Sequence, residues 1–481
     1  MRLIILLTFI CFFAAGKFTD EESSSPLTDI SSYTQATFST YIDHYSAMPN
    51  QFSMKYYYKT TYWNETGPIF FFCGGEGRIE VFLNSTGWVD ALAEQMNAIV
   101  VYAEHRYFGS SLPFGNKSYT KNSYTKYLSP HQAMADFAYL LTSLRAQYNN
   151  TKVITFGGGY SGMISAWMRI KYANVVDGAV ASSAPVNHFY GTVDPTEFYH
   201  IVTNDYQAVD PSCPAYIRTA YDYITNMTDY PTTYFNLTML FQTCYPIITP
   251  GDMFKLKKWI QYAMTFMAIS NYPYKSNFYN PLPAYPVTQA CNLFNDVEID
   301  DIWGVLKAVK DAANIYFNFS GQIECNDLNN FVQGNFGPGN GLDYLSCTYL
   351  NVPIGSNATN SMFGNIPWDQ TWWNNYCVST WGRSPILNYA TVYFGATTDS
   401  QTKWYLRDAT NIIFSNGSLD PWISGAITKS INPTVLGFVM AGGAHIADLK
   451  APNANDPAEV TNGRAIIKGA IEYALREKIP E

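Results

Sequence analysis

The chain has 481 residues, of which 47% are hydrophobic and only 14% charged, so it carries material for a large core and lacks the polar bias of a disordered protein. Its formal net charge of -9 argues against nucleic acid as a partner, because phosphate neutralisation needs basic surface. Met1-Arg2, the apolar run Leu3–Phe13 and Ala14-Ala15-Gly16 have the three regions of a secretory signal peptide, expected over 1–16. That run is too short for a membrane span, and no later run reaches about 18 apolar residues. Glycosylation sequons begin at Asn64, Asn84, Asn116, Asn149, Asn226, Asn236, Asn318, Asn357 and Asn416, which fits a secretory glycoprotein. Asn416 falls in a candidate site loop and is expected to stay unmodified. Without Cys11, the cysteines are Cys73 and the group Cys213, Cys244, Cys291, Cys325, Cys347 and Cys377. Bridges are expected within that group in an oxidising compartment, and Cys73 reads as a small buried hydrophobe.

In chain order, residues 17–37 are rich in Ser, Thr and Asp and read as a loose arm. Ser53–Lys59 reads as a strand, and Pro68–Cys73 as a buried strand running into Gly74-Gly75-Glu76-Gly77. A short helix over Val89–Gln95, a strand over Ala98–Tyr102 and a helix starting at Ser129-Pro130 follow. Val153–Gly158 is a strand, a helix runs to Tyr172, and Val176–Ala181 is the next strand. Buried, non-alternating strands between helices imply a parallel sheet covered on both faces, with its site at the carboxyl ends of the strands. From about 193 to 385 helices are expected at 197–207, 214–227, 251–269 and 298–316, as a helical insertion holding the clustered cysteines. The α/β texture resumes with strands over 411–415 and 435–440 and a final helix at about 463–476.

Strand, glycine turn and helix at 153–167 are the parts of a nucleophile elbow, whose G-x-S-x-G frame presents a serine at a sharp apex. Here the frame is Gly157-Gly158-Gly159-Tyr160-Ser161, with glycine in the middle. Asp420 follows the strand at 411–415, and His445 follows the strand at 435–440. That order is the one in which α/β-hydrolases set out their triad, with Asp420 orienting the imidazole and His445 as general base. The backbone N–H of Tyr160 and one from the Gly74–Gly77 loop, at Gly75, are the candidate oxyanion donors. His44, His131, His188 and His200 read as structural or surface residues, and His105 as a residue of the loop after the 98–102 strand. Gly157-x-Gly159-x-x-Gly162 also spells a dinucleotide fingerprint, but no acidic residue closes a second strand at the required distance. No metal site and no cofactor are expected.

Several motifs together resemble the serine peptidase family that contains lysosomal prolyl carboxypeptidase, dipeptidyl peptidase II and thymus-specific serine protease. They are Asp43-His44, Gly75-Glu76-Gly77, Ala103–Gly109 with Ser111–Phe114, Gln132-Ala133 with Asp136, Gly178–Pro185, Tyr272-Pro273-Tyr274, Ser415–Trp422, and Gly443-Ala444-His445 with Asp448-Leu449. The resemblance implies an α/β-hydrolase fold with a disulfide-linked helical lid. Its parts would be a hydrolase domain at 17–192 and 386–481 and a lid at 193–385. It implies the pairs Cys213–Cys291, Cys244–Cys325 and Cys347–Cys377, and makes Asp420 and His445 the catalytic Asp and His. It further implies an exopeptidase of the lysosome, vacuole or exterior acting on peptides with proline near a terminus, and it admits a homodimer.

One position departs from the family pattern. The family reads Gly-Gly-Ser-Tyr at the elbow, and Gly159 stands where its serine stands, while Ser161 falls where serine is an ordinary variant. The expected function is therefore a catalytically impaired homologue that still binds peptide termini. The alternatives are an active dipeptidyl peptidase or carboxypeptidase using Ser161 or a restored serine at 159, and a non-enzymatic secreted glycoprotein. Trp368–Trp373 and Tyr376–Trp381 read as aromatic lid packing, with the lining of a proline-accepting pocket as the alternative.

Overall fold

The computed structural model describes residues 28–227, 231–329, 340–396 and 404–476; the expected leader at 1–16 lies outside the described residues. One eight-stranded sheet organises the chain. Its strands are β1 (Thr34–Tyr41), β2 (Gln51–Lys59), β3 (Ile69–Cys73), β4 (Ile99–Ala103), β5 (Val153–Gly158), β6 (Gly178–Ser182), β7 (Ile412–Gly417) and β8 (Val435–Met440). The spatial order is β1-β2-β4-β3-β5-β6-β7-β8. From β4 to β8 all neighbours are parallel, whereas β1–β2 and β2–β4 are antiparallel.

That antiparallel edge corrects two expectations, the loose arm through residue 37 and the wholly parallel sheet. Thr34–Tyr41 is half-exposed and joins β2 as a hairpin, so it needs one apolar face rather than two and shows no buried run. By contrast β3, β4 and β5 are buried at every residue, because helices cover both faces there. One face packs Phe71, Val101, Phe137 and Trp167 together, and the other packs Phe72, Tyr102, Val89 and Ile467. Ser129 caps the helix Pro130–Gln147 by accepting from Gln132 N–H at 3.2 Å, with Pro130 at its first position.

Between β6 and β7 the chain leaves the sheet. The helices Glu197–Val209, Cys213–Asn226, Pro250–Ile269 and Ile302–Phe317 close around their own core of Tyr206, Trp259, Met264 and Val309. Disulfides join Cys213 to Cys291, Cys244 to Cys325 and Cys347 to Cys377. Further helices, among them Gln370–Trp381 and Tyr389–Phe394, carry no amphipathic signature in the sequence; Asp369 starts the former by capping Trp372 N–H at 2.9 Å. The stretch around Tyr344–Leu350 packs into the sheet core instead, and Phe394 stacks on Trp167 with ring centroids 3.8 Å apart. Cys73 is unpaired and fully buried at the end of β3, where burial raises its thiol well above the ordinary range. Among the described residues no helix is long and apolar enough to cross a membrane.

Candidate active site

The parallel strands bring the loops after β3, β4, β5, β7 and β8 to one edge of the sheet, and the candidate residues lie there. β5 feeds a turn whose apex, Gly159, has φ 62° and ψ -127° and immediately precedes the helix Tyr160–Lys171. The three glycines serve different needs. A Cβ on Gly157 would fall 2.1 Å from Ser161 O, and one on Gly158 would fall 2.4 Å from Ile446 Cγ2, so backbone and neighbour approach too closely for any side chain. A Cβ on Gly159 would meet only His445 within 4 Å, Nε2 at 3.3 Å and Cε1 at 3.4 Å. The apex therefore has room for a side chain, and that side chain would start against the imidazole.

Asp420 and His445 arrive from the ends of β7 and β8. His445 Nδ1 lies 2.8 Å from Asp420 Oδ2, and both side chains are buried. The carboxylate fixes the tautomer with the proton on Nδ1, which leaves the Nε2 lone pair facing Gly159. Asp420 is itself held as the cap of the turn Pro421–Gly425, accepting from Trp422 N–H at 3.2 Å. The backbone of His445 is clamped from the helical unit: its N–H donates to Ile269 O at 3.1 Å, and Tyr272 Oη donates to its carbonyl at 2.6 Å. The next residue, Ile446, sits at φ 49°, a rare conformation for a β-branched side chain. Its N–H donates to Ser183 Oγ at 2.9 Å, and Ser183 also has positive φ. Asp448 accepts from the hydroxyls of Ser182 and Ser415, tying the His445 loop to β6 and β7.

Ser161 is fully buried, with Oγ donating to Gly158 O at 2.9 Å and accepting from Gly158 N–H at 2.8 Å. It braces the turn from behind and does not face His445. Tyr160 opens the elbow helix, so its N–H has no acceptor within that helix. The loop Gly74–Gly77 lies against the helix's first turn, since a Cβ on Gly75 would stand 3.1 Å from Ser161 Cβ.

Sequence reasoning missed how the elbow is anchored. The Tyr160 hydroxyl donates to His105 Nε2 at 3.1 Å, while His105 Nδ1–H donates to Arg106 O at 2.6 Å. Burial pushes the His105 imidazole down to about 4, so the ring stays neutral and can accept. Behind it, Arg106 forms a two-pronged pair with Asp136, Nε to Oδ2 at 2.6 Å and Nη2 to Oδ1 at 2.7 Å, with both side chains fully buried. His44 Nε2 and Thr40 Oγ1 reach the same Asp136 oxygen at 2.8 Å. Gln132 bridges Asp43 Oδ1 and His44 N–H. The scattered motifs Asp43-His44, His105-Arg106 and Gln132 with Asp136 are thus one buried network. His188 is also structural, placed between Ser424 Oγ at 3.0 Å and Pro353 O at 3.1 Å. His131 hydrogen-bonds Tyr389, and His200 is half-exposed beside Glu197.

A cavity of about 410 Å³ opens over Gly159 and His445 beneath the helical unit. Its walls mix aromatic and aliphatic side chains, the aromatics including Tyr262, Tyr316, Trp368, Trp373 and Trp422. Trp368 and Trp373 line this space as well as packing on each other. Glu76 also lines it; its Oε2 is buried without a partner, and burial raises its carboxyl, with the nearby His445 charge a smaller opposing effect. On the helix Glu197–Val209, Asp205 is pushed up to about 9, by burial first and by the Asp420 charge second. Glu76 belongs to the Gly75-Glu76-Gly77 motif, whereas nothing in the sequence marks Asp205.

Asn416, at the end of β7, is buried and donates to Ile427 O at 2.9 Å, which closes that sequon to glycosylation in the folded chain. Asn64, Asn116, Asn149, Asn226 and Asn236 are exposed.

A family model described as serine carboxypeptidase S28 matches residues 40–467. Among curated relatives, the lysosomal Pro-X carboxypeptidase of Bos taurus is 37% identical over 431 residues, covering 88% of this chain and 84% of that protein. The Homo sapiens protein of the same name is 35% identical over 439 residues, covering 90% and 86%. The prolyl carboxy peptidase like protein 5 of Caenorhabditis elegans is 33% identical over 455 residues, covering 89% and 87%.

Proposed function

The chain belongs to the serine carboxypeptidase S28 family, and on that premise we propose that it binds peptides with proline near a terminus while lacking the family's covalent catalysis. The observation that carries this reading is the relation of Gly159 to His445. A side chain at 159 would begin 3.3 Å from Nε2, on the face opposite the Asp420 bond. That is where the hydroxyl of a nucleophilic serine belongs, and glycine supplies none. Ser161 is not a substitute on this reading, because both hydrogen bonds of its hydroxyl go to Gly158. The remaining parts of an acyl-transfer site are retained: the His–Asp pair, the elbow N–H of Tyr160 and the aromatic cavity. Flat, rigid aromatic walls suit a pyrrolidine ring, which loses little entropy on binding.

The expected leader, the exposed sequons and the three disulfides support a location in the secretory pathway, in a lysosome or vacuole or outside the cell. The deciding experiment is a fluorogenic Xaa-Pro and Pro-Xaa peptide assay at about pH 4.5–6, run beside Gly159→Ser. The reading expects binding without turnover in the natural chain and a gain of turnover in Gly159→Ser. Turnover in the natural chain that disappears with Ser161→Ala would overturn it and favour an active exopeptidase.

A further inference from the structure

The position above Gly159 is more than a lost hydroxyl, because the base that would serve it is intact. The bond from Nδ1 to Asp420 holds His445 in the tautomer that leaves Nε2 unprotonated. Beyond its flanking residues, the Cβ position above Gly159 has only His445 within 4 Å, and Gly159 lines the aromatic cavity. A water oxygen entering near that position would come within hydrogen-bonding reach of Nε2. Tyr160 N–H, at the start of a twelve-residue helix, supplies an oxyanion donor on the adjoining side. The walls around these groups are largely apolar.

We propose that this site hydrolyses acyl esters by direct attack of a His445-activated water, in one displacement and with no acyl-enzyme. His445 Nε2 takes a proton from the water as its oxygen bonds to the acyl carbon, and the carbonyl electrons move to an oxyanion held by Tyr160 N–H. Collapse of that intermediate breaks the bond to the leaving oxygen, and the imidazolium returns its proton there, giving an acid and an alcohol. Esters are the substrate class because their leaving oxygen departs more readily than an amide nitrogen, and the site lacks the covalent step that amide cleavage relies on. Aryl or apolar acyl groups match the walls. The inference rests on the reading that Gly159 is the native elbow residue.

The test is hydrolysis of p-nitrophenyl acetate and butyrate by the full chain. The expected result is a steady rate with no initial burst, unchanged by pretreatment with a fluorophosphonate. His445→Ala should lower it by at least about 10²-fold, the lower end of general-base contributions. Asp420→Asn should also lower it, because the imidazole loses its fixed tautomer, and this near-isosteric variant keeps the test open if His445→Ala folds poorly. Gly159→Ala, with a methyl where the water stands, should lower it as well, with circular dichroism confirming the fold of each variant. A rate that survives both His445→Ala and Asp420→Asn, or a natural chain no faster than these variants, overturns the proposal. A stoichiometric burst overturns it too. Failure of the underlying reading looks different: the natural chain would then be labelled by the fluorophosphonate.

Discussion

His445 Nε2 stands 3.3 Å from the point where a side chain on Gly159 would begin, and His445 Cε1 lies 3.4 Å from it. A serine there would sit at φ 62°, a strained conformation for an L side chain, and would press only on the imidazole, which must give by a few tenths of an ångström. Gly159→Ser should become reactive to a fluorophosphonate and gain turnover of proline-containing peptides by several orders of magnitude, since losing the nucleophile from an intact triad costs about 10⁶-fold in turnover. Stoichiometric labelling followed by mass spectrometry checks it. An unlabelled Gly159→Ser would show that the remaining parts are not aligned for acylation.

Ser161→Ala tests the division of labour within the elbow. It removes both hydrogen bonds to Gly158 in a fully buried turn and leaves Gly158 N–H without its acceptor. The cost should be about 1–3 kcal/mol in urea unfolding. In a Gly159→Ser background the same change should leave fluorophosphonate labelling intact, whereas a nucleophilic Ser161 would be labelled in the natural chain and lose that label in Ser161→Ala.

Asp136→Asn strips the charge that faces the buried Arg106 guanidinium and His44. Breaking one side of a buried pair should cost about 3–5 kcal/mol. Pairing it with Arg106→Met should recover part of that loss, because the uncompensated cation is then gone. Additive losses in the double mutant would place the effect in packing rather than charge.

Glu76→Gln reads the electrostatics of the cavity. Burial raises the Glu76 carboxyl, so the folded chain holds this proton at a pH where the unfolded chain has released it. The stability it contributes is present below the unfolded value of 4.5 and is lost as pH rises through the folded value. Glu76→Gln should therefore gain melting temperature relative to the natural chain at neutral pH and show little gain near pH 4. An equal gain at both would contradict the assignment.

Lys450 gives the opposite slope. Its ammonium lies over Phe278 at 4.0 Å and Tyr272 at 4.9 Å, and burial pushes it down to about 7 from 10.5. Between those values the unfolded chain binds the extra proton, so stability rises with pH across the window, and below it the full penalty is present. Lys450→Met should raise the melting temperature most at acidic pH, with the advantage shrinking toward pH 10. A pH-independent advantage would assign the effect to shape alone.

Much of this was legible in the chain. The uniformly apolar runs of β3, β4 and β5 mark the sheet centre because strands buried on both faces need no alternation. The loops bearing Gly159, Asp420 and His445 follow such runs in hydrolase order. The exposed hairpin strand β1 left no comparable mark, because an edge strand buries only one side.

The sequence alone determined that a glycine occupies the elbow apex, that Asp420 and His445 follow their strands, and that the cysteines cluster between β6 and β7. Only the tertiary structure decided where Ser161 points, which hydroxyl His105 anchors, and that Glu76, Trp368 and Trp373 share a cavity with His445. The physical reason is range. Strand burial and turn geometry are set by neighbours along the chain, whereas the direction of a hydroxyl and the dielectric around a carboxyl are set by atoms that packing brings from hundreds of residues away.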